Sequence, residues 1–152
     1  MLRTKTKNVP KVTKEIKKLI EDMKETTIAA DNGAGLAAVQ IGRKERICVS
    51  SIWGKLIPLI NPEIPWKSEE LVTAEEGCLS LPGVWVEVPR SIEIIVRYLD
   101  LDGEPQERKY KDWNARVVQH EVDHLDGKMI VDYDKDETIA DYPHSDKSHQ
   151  EM

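Results

Sequence analysis

Phenylalanine is missing from this sequence altogether, so four Trp and four Tyr carry its aromatic load and the rest of any core must be aliphatic. Cysteine is scarce. The two present, Cys48 and Cys78, supply no disulfide framework. Cys48 lies in Arg46-Ile47-Cys48-Val49-Ser50, which reads as a buried strand carrying a structural thiol. No apolar stretch approaches the roughly 20 residues of a membrane span. Residues 1–10 are basic and polar, without the apolar segment of a secretory signal. An excess of positive charge is also lacking: 22 Lys and Arg against 28 Asp and Glu give a formal charge of −6. That balance argues against a broad nucleic-acid footprint, which needs a basic face. Repeats, domain linkers and low-complexity tracts are absent too. These absences leave 152 residues, 39% hydrophobic and 33% charged, which fit one soluble domain with a real core. The expected setting is the cytoplasm, or the interior of an organelle or host cell, with no membrane and no nucleic acid as partner.

What is present is chemically pointed. His120-Glu121-Val122-Asp123-His124 places two imidazoles four residues apart, on one helix face and one turn apart. That spacing suits two ligands of one metal ion, and Glu121 beside them can take a proton from a water on that ion. Asn114 is the expected N-cap, 115–125 has no breaker, and Gly127 is placed to end the helix. A tetrahedral site needs a third protein ligand. Glu137, His144 and His149 are formally available in a polar tail. Cys78, in Glu75-Glu76-Gly77-Cys78-Leu79-Ser80, is the better candidate. A thiolate with two imidazoles suits zinc, iron(II), nickel or cobalt. A third segment, residues 33–40, is small and Gly-rich and ends in Gln40, whose amide N–H can reach a developing oxyanion.

The remaining pattern sets the fold class. Val12, Ile16, Leu19, Ile20, Met23 and Thr27 recur at helical spacing with Thr13 as N-cap, and Asp31-Asn32-Gly33 ends that amphipathic helix. Apolar runs at 46–50, 56–60 and 70–74 read as strands divided by Trp53-Gly54 and by Asn61-Pro62 to Pro65. Alternating runs follow at 84–88 and 92–98, and Asp102-Gly103 turns the chain back into 107–110. A last short strand is expected at 129–131 and one helical turn at 137–142. The prediction is α+β: antiparallel strands packed around a central HExxH helix that binds the metal, with an N-terminal amphipathic helix. Residues 1–133 would be the catalytic domain and 134–152 a short polar tail.

The three motifs together resemble those of peptide deformylases, which carry GxGLAAxQ, EGCLS and HExDH in this order. The chain has GAGLAAVQ at 33–40, EGCLS at 76–80 and QHEVDH at 119–124, and the similarity extends from about Leu2-Arg3 to Asp132-Tyr133. The resemblance implies hydrolysis of the N-formyl group of formyl-methionyl nascent peptides, releasing formate. It implies Cys78, His120 and His124 as ligands of one divalent ion, commonly iron(II), and Glu121 as the proton carrier. Gln40 and the Leu79 backbone N–H would bind the oxyanion. Glu76 pairing with Arg90, together with Asp123 and Gln119, would orient the imidazoles. Ala34, Trp113, Val117 and the His120 ring would line a methionine pocket, while Gly33, Gly35 and Gly77 would bring backbone close to the formyl group.

Three features depart from the pattern of bacterial relatives. An extended segment that they carry before the position of Leu2-Arg3 is not in this sequence. Trp85 stands where a basic residue is common. The C-terminal helix that can engage the ribosome is short or missing. An HExxH endopeptidase using a tail ligand and a metal-stabilised binding module without turnover are the competing readings.

Overall fold

In the computed structural model, residue 3, residues 5–30 and residues 33–133 are described. The first helix, α1 (Lys14–Ala29), begins where the sequence predicts: the Thr13 hydroxyl accepts the Ile16 N–H at 3.3 Å. Its apolar stripe, Leu19, Ile20 and Met23, packs on Leu36, Ile47, Val49 and Ile60. The backbone leaves the helix at Ala30, in an extended conformation; Asp31 and Asn32, expected to end it, lie outside the described residues.

Seven strands follow among the described residues. β1 (Gly35–Ala37), β2 (Ile47–Ile52), β3 (Lys55–Lys67), β6 (Glu93–Leu99) and β7 (Pro105–Lys111) form one antiparallel sheet in the order β1-β2-β3-β6-β7. β4 (Leu71–Cys78) and β5 (Leu81–Ser91) form a separate hairpin. The Gly-rich motif therefore folds as strand β1 plus a single 3-10 turn, Ala38–Ile41.

The break expected at Asn61 to Pro65 does not occur. β3 runs through it, with register shifts between Ile60 and Glu63 and between Glu63 and Trp66. Bulges are where a strand tolerates proline, because no ladder N–H is needed there. The short strand expected at 129–131 is instead the 3-10 turn Ile130–Tyr133. The turn expected at 137–142 and the tail from 134 lie outside the described residues.

α2 (Asp112–Leu125) is the central element, with eleven of its fourteen residues buried. Ala115, Val118, Val122 and Leu125 recur at three- and four-residue spacing and pack on Ala37, Cys48, Leu59, Ile94 and Val96 of the large sheet. The helix starts earlier than expected, and Asn114 is not its cap. The Asn114 side-chain oxygen instead accepts the Trp53 N–H at 3.3 Å, tying the β2–β3 turn to the helix. Gly127, at φ 78°, does stand just past the end. Gln119 stitches α2 to β5 by accepting the Ser91 N–H at 3.1 Å and donating to its carbonyl at 2.9 Å. The opposite face of α2, bearing Arg116, His120 and His124 at four-residue intervals, is thereby turned toward β4 and β5.

Candidate metal centre

Cys78 ends β4, where the pairing with β5 slips between Gly77 and Cys78. A register shift re-aims a side chain, and here the thiol faces α2. Its Sγ lies 3.2 Å from His124 Nε2, which lies 3.1 Å from His120 Nε2. All three residues are buried, and their ligand atoms lie within 4.8 Å of one another. A hydrogen-bonded reading of this cluster fails. His120 Nδ1 faces a Glu76 carboxylate oxygen at 2.9 Å, so Nδ1 carries the proton and Nε2 is a bare lone pair. A single His124 Nε2 proton could satisfy only one of its two neighbours. Three converging lone pairs fit a tetrahedral metal instead: bond lengths near 2.0–2.3 Å place ligands roughly 3.3–3.6 Å apart. The donor set of one sulfur and two imidazoles agrees with a transition metal.

The protonation energetics agree. Burial, helped by the charge of Glu121, pushes the Cys78 thiol up to about 12. Burial and His120 push His124 down to about 3, so its ring is neutral. A neutral imidazole is a ready ligand, and the raised thiol gives up its proton to a cation.

Glu121, the next residue on α2, is wholly buried. Neither of its carboxylate oxygens has a hydrogen-bond partner among the described residues, and the same holds for His124 Nδ1. Burying a polar group without a partner costs free energy, so this vacancy in the hydrogen-bond inventory points to a ligand. Burial first, and then the negative charge of Glu76, raise the Glu121 carboxyl well above its ordinary range. Gly35 makes room for it, since a Cβ there would overlap the Glu121 carboxylate.

A buried charge cluster backs the imidazoles. Glu76, fully buried, receives Arg90 Nε at 3.0 Å and Nη2 at 2.9 Å, and also Arg116 and His120. Burial alone would raise the Glu76 carboxyl; the hydrogen bonds from His120 and Arg90 outweigh it and hold the group down at about 2. Arg90 continues to Asp123, which also accepts the Tyr133 hydroxyl at 2.6 Å. Arg116 and Tyr133 were not foreseen. The available signal for Arg116 was its place one turn before His120 on the ligand face of α2.

The remaining candidates are distributed unevenly. Gln40 accepts the Ala37 N–H at 2.8 Å, and its amide nitrogen donates to Ser80 Oγ at 2.9 Å and toward Cys78 Sγ at 3.5 Å. Its side chain thus caps its own turn and reaches the thiol. Leu79 is half-buried in the β4–β5 turn. Ala34 and Val117 are fully buried and pack together. Trp113 is 39% exposed and lines a hollow of about 220 Å³ with Val72, Ala74, Arg90 and Arg116, a lining that does not include Ala34 or Val117. Gly77 is covered by the Trp85 ring, whose atoms lie 2.8–3.0 Å from where a Cβ would stand. Gly33, half-buried, precedes β1, and its Cβ would stand 2.7 Å from the Thr27 carbonyl oxygen. Glu137, His144 and His149 lie outside the described residues.

Comparison with known proteins agrees with this geometry. The family model for polypeptide deformylase matches residues 1–139. A peptide deformylase from Rickettsia typhi is 49% identical over 142 residues, spanning 87% of this chain and 81% of that protein. One from Pseudothermotoga lettingae is 52% identical over 132 residues, spanning 87% and 76%. Among solved structures, the peptide deformylase of Thermotoga maritima superposes with a TM-score of 0.85 at 42% identity, covering 89% of this chain and 91% of that one. That of Ehrlichia chaffeensis gives 0.83 at 39%, covering 88% and 82%.

Proposed function

The chain belongs to the polypeptide deformylase family, the metal-dependent hydrolases that remove the N-formyl group from nascent polypeptides, and from that premise we propose how its own residues do so. The observation that carries the reading is the convergence of Cys78, His120 and His124 beside an unpartnered, buried Glu121. Cys78 Sγ, His120 Nε2 and His124 Nε2 would hold one divalent ion, and iron(II) is the ion we assign, with zinc, nickel and cobalt as substitutes in the same donor set. A bound ion of this kind supplies a Lewis acid and makes water nucleophilic at neutral pH.

The protein residues supply the rest. Glu121 takes the proton from the attacking water and returns it to the amine nitrogen as the formyl carbon–nitrogen bond breaks, releasing formate. Its raised pKa suits a group that must both accept and deliver a proton. The Gln40 amide and the Leu79 N–H steady the negative oxygen, a contribution of about 3 kcal/mol for one such donor. Glu76 holds the His120 ring through Nδ1, with Arg90, Arg116 and Asp123 locking Glu76 in turn.

The formyl carbon bears only hydrogen, and Gly35, beside the Glu121 carboxylate, leaves backbone and not side chain there, whereas Gly33 lies against the Thr27 carbonyl and Gly77 under the Trp85 ring. Among the described residues, β1 and β4 each have one unpaired edge, which suits strand-like pairing with an extended peptide. The substrate methionine is assigned to the apolar hollow lined by Trp113, Val72 and Ala74, because Ala34 and Val117 are fully buried and stand outside its lining. Residues 1–133 are read as the catalytic unit, acting in the cytoplasm on chains emerging from the ribosome. No helix among the described residues is long and apolar enough to cross a membrane.

Metal analysis of anaerobically purified wild type and Cys78→Ala tests this reading. The wild type should hold one ion per chain, with iron recovered, and the variant should lose it. Full occupancy in Cys78→Ala would remove Cys78 from the ligand set and return Glu137 to consideration.

A further inference from the structure

Glu121 is not alone in being buried with unused hydrogen-bonding capacity. Ser50, on β2, is wholly buried, and its hydroxyl oxygen has no hydrogen-bond partner among the described residues. A buried hydroxyl left in that state costs free energy that Ala would not cost in the same space. Its neighbours Ile47, Cys48, Val49 and Ile52 follow the apolar pattern of a buried strand, and Ser50 belongs to none of the three motifs.

The register of the sheet aims this hydroxyl. Ser50 stands directly opposite Gly35 across the β1–β2 pair. Residues so opposed project to the same face, with Cβ positions about 4.5–5.5 Å apart. On that face lies the Glu121 carboxylate: a Cβ built on Gly35 would overlap Oε2 and stand 3.0 Å from Cδ. Gly35 thus gives the carboxylate room, and Ser50 beside it brings a donor. Cys48, two residues earlier and on the same face, senses the same group: burial raises its thiol, and the charge of Glu121 raises it further. The Ser50 hydroxyl also bears on that thiol, but sulfur is a weak partner and leaves most of the hydroxyl's capacity unused. Around them the surface is apolar, with Cys48 packed among Ala37, Val118 and Val122.

We propose that Ser50 is a positioning residue for Glu121, its hydroxyl holding carboxylate oxygen Oε2 against the sheet through one bridging water. Ser50 and Glu121 do not bond directly, and a bridging water needs at least two polar partners, which these two side chains supply. A carboxylate that takes a proton from water and passes it to an amine works from one orientation, and a partner behind it fixes that orientation. This rests on the reading that Glu121 is the proton carrier.

Ser50→Ala removes the hydroxyl and little volume, and circular dichroism melts check its fold. In the metal-loaded enzyme, kcat on formyl-Met-Ala-Ser should fall about tenfold, with KM within about twofold and metal content equal to wild type. A double-mutant cycle separates positioning from packing: in the Glu121→Gln background the same substitution should change turnover by less than about twofold, because the group it acts through is gone. Infrared difference spectra of the metal-free protein give a readout independent of turnover. The Glu121 carboxyl stretch, identified by its loss in Glu121→Gln, should move to higher frequency in Ser50→Ala. An unchanged kcat, an equal fall in both backgrounds, loss of metal together with rate, or a carboxyl band that stays in place each overturns the proposal. A wild type that leaves the peptide uncleaved removes the deformylase reading instead, and the infrared shift still decides whether Ser50 holds Glu121.

Discussion

Replacing Glu76 with Gln keeps the shape of the side chain and removes its charge. In the native protein that carboxylate meets Arg90 through two bonds of 2.9 and 3.0 Å, Arg116, and His120 Nδ1 at 2.9 Å, with no exposure to solvent. Gln leaves two guanidiniums in a buried site, with only Asp123 still opposite Arg90. Breaking a buried pair in this way costs about 3–5 kcal/mol. At about 2–4 °C per kcal/mol for a chain of this size, the melting temperature should fall by about 6–20 °C.

The same group sets an acid limb of stability. Its folded pKa lies at about 2 against an ordinary 4.5, a depression whose contribution is present above 4.5 and lost as pH falls through 2. That difference corresponds to about 3 kcal/mol. The Gln variant should therefore lose stability at neutral pH yet show a flatter decline between pH 4.5 and 2. Metal affinity should also drop by about 10–100-fold, because one neutral amide oxygen must then serve His120 Nδ1, Arg90 and Arg116, which share two carboxylate oxygens in the native protein. Thermal melts of the metal-free protein across pH, with chelator competition for affinity, measure all three. A variant that melts within about 3 °C of wild type and binds metal equally well would refute the argument that Glu76 organises this cluster.

Other consequences are narrower. Glu121→Gln should retain metal while turnover falls by about 10²–10⁴; metal-loaded variant working near the wild-type rate would exclude Glu121 as the proton carrier. Gly35→Ala forces a methyl group into the Glu121 carboxylate, so turnover should fall with metal content unchanged, and a fully active Gly35→Ala protein would mean that the close approach has no catalytic use. Arg116→Met, which leaves Arg90 and His120 on Glu76, should destabilise less than Glu76→Gln in the same melts; an equal or larger loss would make Arg116 the organising residue.

Much of the site was legible because its information is local. Two His at four-residue spacing around Glu121 need only a helix to converge, and Thr13 before an apolar stripe needs only one cap hydrogen bond to start α1. The elements misjudged depend on distant partners. Asn114 looks like a cap until Trp53, far along the chain, claims its side-chain oxygen. Pro62 and Pro65 look like breakers until β6 pairs around them through two register shifts. Residues 129–131 are apolar enough for a strand, but Ile130 packs with Cys78, Val86 and Val88 as part of a 3-10 turn. Arg116 and Tyr133 escaped notice because a charge or hydroxyl declares its role only when Glu76 and Asp123 are brought to it.

The central claim is that a Cys78–His120–His124 metal centre with Glu121 acts on a formamide whose carbon carries no chain. Its most direct test compares initial rates of the metal-loaded enzyme on formyl-Met-Ala-Ser and acetyl-Met-Ala-Ser, with casein as a protease control. The account predicts rapid release of formate, acetyl hydrolysis slower by orders of magnitude, and intact casein. Comparable rates on the two peptides, or fragmentation of casein, would contradict it.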